Sequence, residues 1–277
     1  MFWRWWGLGL TSDPIVRTPA TTRAAGGGLG GPADRLGKAS LSVLVGHGRM
    51  AGMPMHPPTV GFDLDMTLID SRPGIKAAYE ELAVRTGTAI DAGLAVSRLG
   101  PPLEHELAHW FPVEAVPEVA GIYRAIYPEY AIAPSPAMPG AAEAVAAVRR
   151  AGGRVVVVTA KHGPSAELHL RHVGIEPDVL AGQLWAEAKA EALRAHGAGV
   201  YVGDHTGDVR GARTAGALSV AVATGPCGAE ELRAAGADVV LDDLRAFPGW
   251  LDRYREGPAA EAPGPEAAEP GTPASRA

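Results

Sequence analysis

The run Arg154-Val155-Val156-Val157-Val158-Thr159 restricts the possible folds more than any other stretch of the chain. Successive β-branched residues are stiff at χ1 and favour extended backbone. A strand with one wet face would alternate apolar and polar residues. This one does not, so it predicts a strand buried on both faces, as in a parallel sheet covered by helices on each side. Parallel neighbours need long crossovers, usually helical, and the rest of the chain supplies them.

Val60 to Asp63 reads as the first buried strand. A helix then starts at Ser71, or at Asp70 beside it as cap, with Pro73 in the first turn. It carries Ile75, Ala78, Tyr79, Leu82 and Ala83 on one face and stops at Gly87. Helical segments follow at about 91–99, 103–111 and 114–130, punctuated by Pro101, Pro102, Pro112 and Pro117. No strand intervenes, so this is an all-helical insert. From Pro139 onward helices alternate with short strands near Val179, at Val200–Gly203, Leu218–Val222 and Val239–Leu241. That alternation predicts an α/β fold, a doubly wound, Rossmann-like parallel sheet. Its core should comprise residues 58–71 and 136–252, with a helical cap over 72–135.

Residues 1–57 are rich in Gly, Pro, Thr and Ala without sustained periodicity, and 253–277 in Pro, Ala, Gly and Glu; both read as disordered. Leu41–Val45 could form only an isolated strand, and Met50, Met53 or Met55 would serve as the working start. No stretch reaches the roughly 18 apolar residues of a membrane span. The short apolar opening has only Arg4 before it and no small-x-small cleavage site, which argues against a signal peptide. One cysteine, Cys227, excludes an internal disulfide framework and a cysteine-rich zinc site, and a reducing cytoplasm is the expected location. A formal net charge of -6, with no basic stripe, argues against a nucleic-acid partner, and nothing marks a membrane one.

The chemistry gathers at element ends. Asp63 and Asp65 stand two apart where the first strand runs out, and open α/β sheets bind ligands beyond such ends. Two carboxylates about 4 Å apart repel by roughly 4 kcal/mol at an effective dielectric of 20, so the pair wants a cation or a shared proton. Thr159 ends the Val run, Lys189 opens a helix, and Gly203-Asp204 with Asp208 follows the fourth strand. Several carboxylates among oxygen donors favour a hard cation, best Mg²⁺. A hydroxyl and an ammonium can bind the remaining oxygens of a phosphate. One aspartate can then act as nucleophile and another as proton shuttle. Each residue also has a plain structural reading: a strand-end Thr, a helix-surface Lys, an Asp capping a helix. Lysine is scarce, however (Lys38, Lys76, Lys161 and Lys189), which makes Lys189 more telling.

In this order the motifs resemble those of the haloacid dehalogenase superfamily, in particular its phosphatases with a helical cap between the first two motifs. Asp63-Leu64-Asp65-Met66-Thr67 is similar to the first motif, Thr159 to the second, Lys189 to the third, and Gly203-Asp204 with Asp208 to the fourth. The resemblance implies that Asp63 attacks phosphorus and that Asp65 protonates the leaving oxygen, then activates the hydrolytic water. It further implies that Asp63, the backbone carbonyl of Asp65, and Asp204 bind Mg²⁺. Asp208 would bind the metal directly or through water, or hold Lys189, while Thr159 and Lys189 grip the phosphoryl group.

Two positions depart from the pattern: Met66 stands where glycine is usual, and Ala160 where Asn or Ser is frequent. Asp65 itself counts against dehalogenase and phosphonate-cleaving chemistry. A receiver-type phospho-acceptor would carry its acids and lysine in another order. A sugar-phosphate mutase keeps both acids, and a non-catalytic phosphate-binding module keeps the residues without turnover. Substrate choice should lie in the cap. There Gly100-Pro101-Pro102-Leu103 resembles the cap turn of phosphoglycolate phosphatases, and Arg98 could clamp a second anionic group or simply be a solvated helix-end arginine. The expected partner is a small phosphorylated metabolite. His105, His109, His162 and His205 read as surface histidines, the last two beside site motifs.

Overall fold

The computed structural model describes residues 57–256; the expected leader, the isolated strand at 41–45, the alternative starts and most of the expected tail lie outside them. Six parallel strands form one sheet: β1 (Thr59–Phe62), β2 (Arg154–Val158), β3 (Val179–Ala181), β4 (Val200–Gly203), β5 (Leu218–Val222) and β6 (Val239–Leu241). Their order is β3-β2-β1-β4-β5-β6, so the chain winds outward from β1 in one direction and then crosses to the other side. β1 pairs on both edges, Val60 opposite Val155 on β2 and opposite Val200 on β4. The winding reverses at this point, and the crevice beyond the strand ends there is the expected ligand site of a doubly wound sheet.

The valine run behaves as its composition requires. Val155 and Val157 pack on one face with Val60, Phe62, Val202 and Val220, beneath α5 (Ala141–Arg150) and α10 (Phe247–Glu256). Val156 and Val158 pack on the other with Tyr201, Leu193 and Ala212, beneath α7 (Lys189–Ala195) and α8 (Thr206–Ala215). All four valines are fully buried. α6 (Gly163–His172) joins β2 to β3, and α9 (Ala229–Ala234) joins β5 to β6. α10 continues past the expected core boundary at 252, where Tyr254 stacks on Trp250 with ring centroids 5.2 Å apart.

Between β1 and α5 stand α1 (Arg72–Thr86), α2 (Ala92–Ser97), α3 (Leu103–Leu107) and α4 (Val116–Tyr130). They surround an apolar cluster of their own, with Ile75, Tyr79, Leu82, Leu107, Tyr123 and Ile126 at its heart. The outgoing and returning connectors are stitched side by side: Asp70 N donates to Pro136 O at 2.9 Å, and Met138 N to Leu68 O at 2.9 Å. Ser71 occupies the α1 cap position without a capping bond; its neighbour Asp70 accepts from Arg72 N at 3.2 Å. α2 and α3 are shorter than their sequence patterns suggest.

Candidate active site

Asp63 follows β1 directly and is tied to the sheet by its amide, which donates to Val202 O at 2.8 Å. Its carboxylate accepts from Lys189 Nζ at 2.9 Å. The same ammonium donates to Asp208 Oδ1 at 2.6 Å and Tyr201 Oη at 2.8 Å, and the tyrosine hydroxyl donates to Val158 O at 2.7 Å. Lys189 has no solvent exposure. Its place at the start of α7 follows a tight turn at Ala186–Ala188 in which Ala186 takes φ 49°. Tyr201 was not legible as a site residue: it sits mid-strand, where an aromatic reads as core.

Asp204 and Asp208 flank the start of α8. Asp208 both caps that helix, accepting from His205 N at 3.1 Å, and holds Lys189. His205 Nδ1 accepts from Gly207 N at 2.9 Å and caps α8, which starts at Thr206. Asp204 accepts from Thr67 Oγ1 at 2.9 Å. A Cβ at position 225 would lie 1.7 Å from Asp204 Oδ2, so only glycine lets the β5 loop close over this carboxylate.

Oxygens of Asp63, Asp204 and Asp208 lie within 4.8 Å of one another, all three residues buried. Three buried carboxylates face one buried ammonium, which leaves two negative charges uncompensated. Burial pushes the Asp63 carboxyl up to about 7 against the Lys189 ammonium, with Asp208 and Asp65 adding to the rise. Burial likewise drives Asp204 well above the carboxylate range, helped by Asp208 and Asp63. Hard oxygen donors carrying that excess charge suit a divalent cation.

The Asp65 side chain stands apart from this trio. It accepts from Lys161 Nζ at 2.7 Å, and the ammonium lies 4.9 Å from the centre of the Tyr127 ring. Burial would raise the Asp65 carboxyl, but the charge and hydrogen bond of Lys161 outweigh it and hold the group below the usual range. Lys161 was missed in the sequence. The one signal was a rare lysine two residues past the strand-end Thr159. Thr159 itself is buried, and its hydroxyl accepts from Lys161 N at 3.2 Å, which leaves the hydroxyl hydrogen to donate. Tyr127, from α4, also contacts His169 Nε2 of α6 at 3.0 Å.

Met66 shows why glycine is usual at its position: it has φ 60°, in the left-handed region that costs a side chain about 1–2 kcal/mol. The turn is held by Met66 N donating to Ile69 O at 2.8 Å and by Thr224 Oγ1 donating to Met66 O at 2.6 Å. The Met66 side chain is buried in the core.

A cleft of about 390 Å³ between sheet and cap is lined by Asp63, Asp65, Thr159, Lys161 and Asp204 on one side and by cap residues on the other. Arg98 does reach this cleft, and its guanidinium is taken by a two-point bond to Glu106 at 2.9 and 2.5 Å. Arg124 is held by Glu104 at 2.5 Å. Gly100, at the tip of the turn before Pro101, lies against His205 and Trp185 of the core.

A family model of haloacid dehalogenase-like hydrolases matches residues 60–213, and a second HAD-hydrolase-like model matches 181–247. A plasmid phosphoglycolate phosphatase of Cupriavidus necator is 34% identical over 233 residues, which cover 76% of this chain and 100% of that protein. The tyrosine-protein kinase PtkA of Mycobacterium tuberculosis is 33% identical over 208 residues, 68% of this chain and 72% of that one. Among solved structures, a hydrolase from Pseudomonas syringae superposes with a TM-score of 0.59 at 20% identity, over 70% of this chain and 98% of its own. CbbY from Rhodobacter sphaeroides, in complex with phosphate, gives 0.55 at 21% identity, over 68% and 94%. The first family model spans more than half of the 277 residues, and the chain is an enzyme belonging to the haloacid dehalogenase-like hydrolases.

Proposed function

We propose that this enzyme is a Mg²⁺-dependent phosphatase of a small phosphomonoester, 2-phosphoglycolate being the best candidate. The observation that carries the reading is the separation of two carboxylates at one strand end. Asp63 joins the acidic trio around Lys189, while Asp65 faces the cleft on Lys161. Asp63, Asp204 and Asp208, with the backbone carbonyl of Asp65, would hold the metal, whose contribution is to neutralise charge on the phosphoryl oxygens.

Asp63 attacks phosphorus; an O–P bond forms on its carboxylate as the bond to the leaving oxygen breaks. Asp65 delivers a proton to that oxygen, then takes one from the water that hydrolyses the aspartyl-phosphate. A phosphoryl dianion beside Asp65 adds negative charge and so favours the protonated form needed in the first step. Thr159 donates its hydroxyl, and Lys189 its charge, to the phosphoryl oxygens. The cleft volume suits a small substrate, and the Cupriavidus relative, named a phosphoglycolate phosphatase, supports the choice.

The test is a phosphatase screen over phosphoglycolate, p-nitrophenyl phosphate, nucleotides and phosphosugars, with and without Mg²⁺. Asp63→Asn should abolish turnover, and Asp65→Asn should cost about 10² to 10⁴ in rate. Equal rates on bulky nucleotides and phosphosugars would reject the small-substrate assignment. The relatives named tyrosine-protein kinase supply a second reading, in which a tyrosine hydroxyl takes the phosphoryl group. Phosphotyrosine on a peptide incubated with ATP and the enzyme would favour it.

A further inference from the structure

His169 is a buried base that touches none of the reacting groups, and we propose that it is a positioning residue for the general acid. It acts through Tyr127, the cap side chain whose ring seats Lys161 and, with Lys161, the Asp65 carboxyl. The inference rests on the phosphatase reading for the role of Asp65.

Cap and core meet here through one ring. Tyr127 comes from α4 of the cap, while Lys161 and His169 belong to the core segment that runs from the end of β2 into α6. That segment grips Tyr127 at two points. The Lys161 ammonium stands 4.9 Å from the ring centre, and the hydroxyl shares a 3.0 Å hydrogen bond with His169 Nε2. The imidazole meets the ring edge-on, with centroids 5.6 Å apart. On the cap side the ring packs on Tyr123 at 5.4 Å, itself 5.0 Å from Tyr79. His169 Nδ1 has no hydrogen-bond partner among the described residues, so the imidazole's hydrogen bonding is given to Tyr127. Burial and the Lys161 charge keep His169 neutral down to about pH 3, so it adds no second cation beside Lys161.

The placement matters because a lysine head is a compact charge on a flexible stem. Here the ring face and Asp65 Oδ1, at 2.7 Å, fix where it stands. A buried hydroxyl without a partner is costly. Without His169 the Tyr127 ring would turn to find one, and Lys161 and Asp65 would shift with it. Asp65 delivers its proton only from within hydrogen-bond reach of the leaving oxygen, and a misplacement of about 1 Å can cost about 100-fold. The nucleophile Asp63 is held separately, by Lys189. The effect therefore falls on proton delivery and not on attack.

The experiment compares kcat/KM of the full-length enzyme for two esters: 2-phosphoglycolate, or the fastest alkyl ester of the screen, and p-nitrophenyl phosphate. When the P–O bond of the alkyl ester breaks, its oxygen needs the Asp65 proton; p-nitrophenolate leaves without one. His169→Ala should lower the alkyl-ester value by about tenfold or more and the p-nitrophenyl value by less than about threefold. His169→Gln, whose amide reaches the place of Nε2, should keep most of the alkyl-ester activity. Tyr127→Phe, which removes only the hydroxyl, should show the same selective loss and serves if His169→Ala folds poorly. Equal losses on both esters, or no loss on either, overturn the proposal. NMR of protein labelled at lysine Cε needs no turnover, and its signals come only from Lys38, Lys76, Lys161 and Lys189. The Lys161 signal, identified by its absence in Lys161→Arg, should move in His169→Ala as the ring leaves it; an unmoved signal overturns the proposal. Wild type inert toward both esters defeats the phosphatase reading, while the NMR still decides whether His169 places Lys161.

Discussion

His169 is a buried base whose surroundings refuse a proton. Burial, then the neighbouring Lys161 charge, lowers its pKa to about 3 from an ordinary 6.5, and only Nε2 finds a partner, the Tyr127 hydroxyl. The folded pKa lies below the unfolded one, so the unfolded chain binds the proton first. The stability His169 supports is present above pH 6.5 and is lost progressively as pH falls toward 3. By pH 4 the loss from this one group should be roughly 3 kcal/mol. Urea titrations at pH 7 and pH 4 should show a smaller acid loss for His169→Asn than for wild type; parallel losses would reject this account. The same region shows what escapes a linear reading. That Asp63, Asp65, Thr159, Lys189, Asp204 and Asp208 stand at element ends was legible, because each closes or opens an element whose period is plain. Lys161, Tyr201 and Thr67 were not, because their roles are set by what lies opposite them in space.

At the scale of elements, the cap turn and the start of α8 meet through atoms that leave no room. Gly100 has φ 131°, and a Cβ there would stand 2.8 Å from His205 Cδ2 and 3.1 Å from Trp185 Cη2. His205 is fixed as the N-cap of α8, and Trp185 lies 5.0 Å from it, ring to ring. Gly100→Val should hold the cap turn off the core. Since small displacements near reacting groups cost up to about 100-fold, kcat/KM should fall tenfold or more. Unfolding free energy should drop by only about 1–3 kcal/mol, the strain of the backbone. Activity and stability falling in proportion would mean that the contact is structural alone. Strand positions were legible here to within a residue or two, since β-branched runs announce themselves. The short cap helices were less so, because their ends depend on Pro and on side-chain caps such as Asp91, which accepts from Leu94 N at 2.9 Å.

For the molecule as a whole, the excess negative charge at Asp63, Asp204 and Asp208 is a cost in the metal-free state. Folding holds the Asp204 carboxyl well above its unfolded range, a cost at neutral pH that Asp204→Asn removes, so the metal-free variant should be more stable than wild type by about 1 kcal/mol. Added Mg²⁺ should stabilise wild type by about 2.7 kcal/mol at a hundredfold excess over its dissociation constant, and the variant far less. Thermal melts with EDTA and with Mg²⁺ check both signs, and a variant that is weaker metal-free yet gains as much would overturn the charge argument. The α/β architecture was legible throughout, from one valine run and the alternation around it. The turn at Met66, with φ 60°, was marked only by the glycine usual at that position, since methionine itself does not favour that backbone. The side-by-side connectors, Asp70 N to Pro136 O and Met138 N to Leu68 O, have a further consequence. They make the insertion point a closed seam, at which the inserted helices leave the sheet and rejoin it side by side. Helices of another length whose ends meet at that seam should leave the sheet in place, provided that they again supply an aromatic over Lys161 where Tyr127 now stands.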